Sequence, residues 1–339
     1  MSIATELALL ANTKESLRVA IGLSTSIPFS QYAVNMPWGS DVIPPTGIVF
    51  DFKKNRYAKD GKAAYLDDMP SQFIRLSSAT KWHDGQLVEV QDSIPRISSA
   101  GLLVEKSATE LIPDNSTITS INAAWVVTNK TDPNIGSVFE FVSGGSTATI
   151  STNIPAYPNG NVPPSSGGFY RSIFVKKSVT ESYIRLGPSS ASLVIIVDIK
   201  NGTLEYSGAE VLAYKITELS GFFKIEVSSP TTIGISTERN YRLDTSNSRG
   251  SGSSLSTPSA GYSATVALPA FMDTIDFPQS VVKTSGTQVT RSPDILNIPL
   301  LPSQTITGDW DAGVTYSLAG DIATFAGHGY IRNIAVEEL

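Results

Sequence analysis

The chain has 339 residues, a formal net charge of −6, and 41% hydrophobic against 17% charged residues. Its mean hydropathy is +0.01, a balance that suits a packed core, argues against disorder and offers no basic surface for nucleic acid or an anionic membrane. Cysteine is absent, which excludes disulfides, thiolate catalysis and thiolate-bound metal.

In chain order, the first pattern is a helix, "SIATELALLANTKESLRVAIGLS", with Ser2 as N-cap and Gly22 past its end. Ile3, Leu7, Leu10, Lys14, Leu17 and Ile21 step by four and three, a coiled-coil seam with one polar member. Two readings stand side by side: a helix lying on its own domain, or one that oligomerises or docks on a partner. This helix fills an expected segment 1–24. Residues 25–47, rich in Pro, Ser and Gly, read as an extended arm, because proline blocks helix and pushes its predecessor to extended geometry. No early stretch has signal-peptide character, and no apolar run approaches the ~20 residues that span a bilayer. The expectation is a protein made in a cytoplasm and not inserted in a membrane.

From Ile48 the period becomes that of a strand. "GIVFDFKKNRYA" and "SQFIRLSS" alternate apolar and polar residues, and "HDGQLVEV" carries an Asp84-Gly85 hairpin turn. "GLLVEKSATELIP" fits either strand or a turn of helix. "AAWVVTN", "SVFEFVS", "FYRSIFVKK", "SLVIIVDI", "GFFKIEVSS" and "YSATVALPAF" are short β-type runs, and Asn201-Gly202 marks another hairpin. "SLVIIVDI", apolar on both faces, predicts a buried central strand. "RLDTSNSRGSGSSLSTPSAGYS" reads as a long flexible loop. The 26 Gly and 20 Pro spread along the chain complete a mainly β reading: a jelly-roll or β-sandwich behind a short helix and an arm. The expected segments are 48–117, a β-rich part packing with the C-terminal strands, then 118–300, the sandwich, and 301–339, a last β part.

Motifs for catalysis are missing from the pattern. His83 and His328 have no second histidine at ligand spacing, and no Walker A run, dinucleotide fingerprint or nucleophile elbow occurs. "GDWDAG" places Asp309 and Asp311 around Trp310, which suits sugar stacking, an Asp-rich turn before a strand, or calcium. The remaining EF-hand ligands are lacking, so no metal or other cofactor is expected. Tyr157, in a Pro-rich loop, and Tyr262, at the end of the Ser/Gly loop, are the other candidate sugar-stacking rings. The ring-filled core is the competing reading for every such aromatic.

Several stretches together resemble phage tail and fibre-type virion structural proteins. "GLLVEKSATELIP" resembles their G-L-L-V-E-x-x-x-T-N-L signature. "AAWVVTNKTDP", "FYRSIFVKKSVTESYIRLG", "VDIKNGTLEY" and "GFFKIEVSS" resemble successive strands of a carbohydrate-binding-type jelly roll, and "TSGTQVTRSPDIL" its closing T-x-V-T-R-x-x-D. "TELALLANTKESLRVAIGLSTSIPFSQYA" looks like a virion-anchoring leader. Glu110 stands where the family carries Asn, and Phe222-Phe223 where it carries Trp-Tyr. The resemblance implies a non-enzymatic virion protein assembled in the host cytoplasm. It would be trimeric or otherwise oligomeric, docked to other virion proteins through its N-terminus, and able to touch host glycan. A capsid decoration or collar protein is a close variant. A glycan depolymerase is the enzymatic alternative, and an unrelated cellular adhesin a third. Within this frame Arg291 and Asp294 are expected to form a structural pair near Glu105, where a strand leaves the jelly roll.

Overall fold

The computed structural model describes residues 47–112, 125–145, 167–188, 190–230, 242–284, 287 and 289–338. The expected helix, its seam from Ile3 to Ile21, the arm through residue 46 and Tyr157 lie outside the described residues. The described chain is mainly β, with antiparallel strands and two short 3-10 turns. Contacts divide it into two units that do not follow chain order. One contains the described residues through Ser78, Val90–Ser107 and Ser292–Leu339, and the other Ala79–Glu89 and Ala108–Arg291.

In the first unit, Gly329–Glu338 pairs with Ile48–Asp51, Gly101–Val104 and Gln304–Trp310. A second sheet runs Val314–Ala319, Ile322–Gly327, Ile295–Pro299, Gln72–Ile74. Alternation puts Phe50, Leu102, Val104, Leu296, Ile298, Phe325, Ile334 and Val336 in one core. The register slips where Asp309 faces Asn333 but Trp310 faces Ile331. Arg332 is therefore the extra residue of a β-bulge, and such an insertion re-aims the side chain it carries.

In the second unit one sheet runs Trp125–Asp132, Gly136–Ser143, Ser263–Met272, Gly168–Lys176, Phe222–Pro230, Ala213–Leu219. A four-stranded sheet runs Thr203–Ser207, Ile195–Asp198, Tyr183–Gly187, Arg242–Ser246. Residues of both sheets, among them Phe139, Ile173, Ile184, Val197, Ile225 and Phe271, form the largest core cluster. Ile195–Asp198 is buried along its whole length.

Local chemistry explains the turns. Asp84 and Gly85 both have positive φ, 48° and 78°, as a type I′ hairpin turn requires. Asn201-Gly202 behaves differently: only Gly202 is left-handed, at 69°. The Asp198 carboxylate accepts the N–H groups of Lys200 and Asn201 at 2.8 and 3.3 Å, which draws the chain into a longer loop. A Cβ at 202 would lie 2.5 Å from Phe223 Cε1, so glycine is needed there for space as well as conformation.

The Ser/Gly stretch read as a flexible loop is cross-linked by its own groups. Arg249 donates to the carbonyls of Gly250, Ser254 and Gly252 at 2.8, 2.6 and 2.5 Å. Asn247 and Ser259 exchange two hydrogen bonds at 3.0 Å. Arg185, paired with Asp244 at 3.2 Å, also donates to Ser253 O at 3.0 Å.

Candidate functional site

Trp310 ends strand Gln304–Trp310 and is half-buried against the core of the first unit. Its ring meets Phe325 edge-on, with centroids 5.2 Å apart, and lies 6.2 Å from Tyr316, which is 40% exposed. Gly308 makes room for it. A Cβ there would come within 2.8 Å of Trp310 Cζ3 and would also press on Asn333 O.

The residues on either side of Trp310 in the chain are charged and share one partner. The bulged Arg332 donates to Asp309 Oδ1 at 3.0 Å and also pairs with Asp311 Oδ1. Asp311 Oδ2 accepts the Tyr330 N–H at 2.8 Å, and its backbone N–H reaches Tyr330 O at 3.0 Å. Hydrogen bonding to Asp311 and the charge of that carboxylate, with Asp309 behind them, hold the Arg332 guanidinium above its ordinary pKa. One guanidinium thus engages both carboxylates beside a partly exposed pair of rings. Such a corner offers an apolar stacking surface with acceptors and a donor at its margin.

The other candidates stand elsewhere. Tyr262 is half-buried, its ring edge-on to Trp125 at 6.3 Å and its hydroxyl bonded to Ser182 at 2.7 Å and Thr245 at 2.5 Å. Its hydrogen-bonding capacity is committed to the protein, and burial pushes its phenol up in pKa. Arg291 closes strand Val289–Arg291, and Asp294, three residues on, donates its N–H to Glu105 O at 2.9 Å, beside Glu105 as expected.

Asp294 is one corner of a buried quartet that the sequence reading did not single out. Arg75 reaches Asp294 Oδ1 at 3.3 Å, and Arg96 pairs with Asp294 Oδ2 and with Glu105 Oε2, the latter at 2.5 Å. Asp294 Oδ2 also accepts the Glu105 N–H at 2.9 Å. Burial lowers the Arg96 pKa, but the charges of Glu105 and Asp294 and their hydrogen bonds outweigh it, so the guanidinium stands above its ordinary value. The buried carboxylates thus meet guanidinium groups, as buried ions must meet opposite charge.

A second buried assembly occupies the other unit. Lys224 Nζ lies 2.6 Å from Glu226 Oε1 and donates to Pro278 O at 2.9 Å, and the Tyr170 hydroxyl donates to Glu226 Oε1 at 2.7 Å. Glu110, fully buried on strand Ala108–Glu110, accepts the N–H groups of Ile112 and Phe271 on Oε1 at 3.0 and 2.9 Å. No hydrogen-bond partner for its Oε2 occurs among the described residues. Burial pushes the Glu110 carboxyl well above its usual range, against the pull of the Phe271, Ile112 and Leu111 amides.

Comparison with protein-family models finds no match, and comparison with curated proteins finds none.

Proposed function

We propose that the chain is a non-enzymatic structural protein of a phage virion. Its first residues dock it to the particle, and its β body is exposed for assembly and host-glycan contact. The ordered motifs in the sequence support the virion part, with the resemblance extending to an oligomeric, trimer-like assembly of identical chains. In this reading the second unit is the jelly-roll β-sandwich, and the seam from Ile3 to Ile21 contacts other virion proteins or other copies.

The observation that carries the glycan contact is the Trp310 corner: a half-buried indole beside exposed Tyr316, with Asp309 and Asp311 on either side of Trp310 in the chain and both held by Arg332. A sugar's apolar face stacks on such rings while its hydroxyls meet the bordering charges, and stacking of this kind contributes on the order of 1 kcal/mol. The test uses host surface polysaccharides arrayed on a solid support. The intact protein binds one of them and releases no reducing sugar, and Trp310→Ala, assayed well below its own melting temperature, loses that binding. Turnover of the polysaccharide would replace this reading with a depolymerase. Binding that survives Trp310→Ala would remove the corner from it.

A further inference from the structure

The second sheet of the first unit ends on one side at Val314–Ala319, which pairs with Ile322–Gly327 and with no other strand among the described residues. An edge strand presents a row of N–H and C=O groups to whatever lies beside it, and natural sheets blunt such edges with charge, proline or brevity. Among the described strands, each other edge of four or more residues carries at least one charged side chain, such as Lys130, Glu205, Lys215, Asp244 or Asp309. The edge "VTYSLA" has neither charge nor proline, and five of its six residues are exposed.

The apolar face of this strand is open as well. Tyr316 stands opposite Phe325 and Leu318 opposite Ala323, and both of those partners are fully buried core residues. Alternation therefore turns Tyr316 and Leu318 to the core side of the sheet, yet they are 40% and 55% exposed. Ile322, which pairs with Ala319, adds exposed apolar surface on the other face. The apolar surface of the sheet thus runs on past its last strand, and covering it is favourable.

We propose that Val314–Ala319 pairs antiparallel with the same strand of a second copy of this chain, across a twofold axis at Ser317. A twofold perpendicular to the sheet matches like faces, so Tyr316 meets Leu318 of the second copy, Thr315 meets Ala319, and Ser317 meets its twin. All five exposed residues are used, large beside large and small beside small. The absence of charge selects this occupant: two chains of net charge −6 can meet here with no like charges facing each other, and a second copy brings an edge equally unprotected. The contact is isologous, so each copy closes the open edge of the other. This inference goes beyond the virion reading and does not rest on the glycan contact.

The chain has no cysteine, so a single introduced thiol reports its own surroundings. Ser317 follows Tyr316 in the strand and lies on the opposite face, away from the Trp310 corner. Under mild oxidation, full-length Ser317→Cys is expected to form a disulfide-linked dimer on a non-reducing gel about tenfold or more faster than Thr315→Cys. In the proposed pairing the thiols at 317 face each other within the ~7 Å Cα separation that a disulfide spans, whereas those at 315 stand roughly 13 Å apart along the strands. In sedimentation velocity the wild type should reach a species of at least twice the mass formed by Ser317→Lys, whose ammonium groups would meet at the axis. Melting of Ser317→Lys should move little, because the residue is exposed. Equal disulfide rates at 315 and 317, no disulfide at 317, or equal masses for wild type and Ser317→Lys would each overturn the pairing. The seam from Ile3 to Ile21 is common to all these proteins, so its own success or failure does not alter the comparison.

Discussion

Arg96 and Asp294, 198 positions apart in the chain, meet as a fully buried ion pair. Arg75 and Glu105 complete the quartet, and Arg75 also donates to the Val90 carbonyl at 3.3 Å and to that of Gln91. The first unit is built from three stretches, interrupted after Ser78, before Val90, after Ser107 and before Ser292. The quartet takes a group from beside each of those four points. A unit assembled from distant stretches has few local contacts to align them, and one charge-balanced network fixes all of them together.

Removing Arg96 takes away a cation that two buried carboxylates share. Arg96→Ala is therefore expected to destabilise the protein by about 3–5 kcal/mol, read as a lower midpoint in urea unfolding with an unchanged slope. Arg332→Ala, at a half-exposed pair, should move that midpoint far less, by the equivalent of about 1 kcal/mol at most. Equal effects from the two substitutions would contradict the hub role of the quartet.

Glu110 gives stability a pH dependence of defined sign. Its pKa is raised in the folded protein, so its contribution is complete below the unfolded carboxylate pKa. That contribution is lost as pH rises toward the folded value. Glu110→Gln mimics the protonated acid and cannot ionise. Relative to Glu110→Gln, the wild type should lose melting temperature as pH rises above the ordinary carboxylate range, while parallel profiles would show that Glu110 does not titrate on unfolding.

Arg249→Ala removes three bonds from one charged donor to carbonyls of its own loop. Amides around Gly252 and Ser254 should then exchange on the order of tenfold or more faster, the effect of losing ~1.5 kcal/mol or more of local hydrogen bonding. Global melting should move little. Hydrogen exchange followed by mass spectrometry reads both regions at once.

Tyr262→Phe deletes a hydroxyl shared with Ser182 and Thr245. Its expected cost is about 1 kcal/mol of stability, with glycan binding unchanged. Loss of binding without loss of stability would return Tyr262 to the candidate stacking rings.

Much of the β architecture is legible in period-two alternation, as at "GIVFDF", and in turn chemistry, as at Asp84-Gly85. The Asn201-Gly202 turn was harder to specify, because the deciding group is the Asp198 side chain, which competes for the same N–H donors. Trp310, Asp309 and Asp311 stand out in the sequence. Arg332 does not, since its aim depends on a bulge set by register against a partner strand. The quartet is legible only in part: the sequence places Asp294 near Glu105, but Arg75 and Arg96 share no motif with them, and only tertiary pairing brings all four together. In the Ser/Gly loop composition suggests looseness, whereas Arg249, Arg185 and the Asn247–Ser259 pair cross-link it.

The most direct test of the virion assignment labels purified phage particles with an antibody against the second unit. Parallel particles come from phage whose copy of this chain lacks residues 1–24. Labelling of intact particles, and its loss when the leader is removed although the shortened chain still folds, is the expected result. Particles that contain none of this chain, or that incorporate the shortened chain equally well, would contradict it.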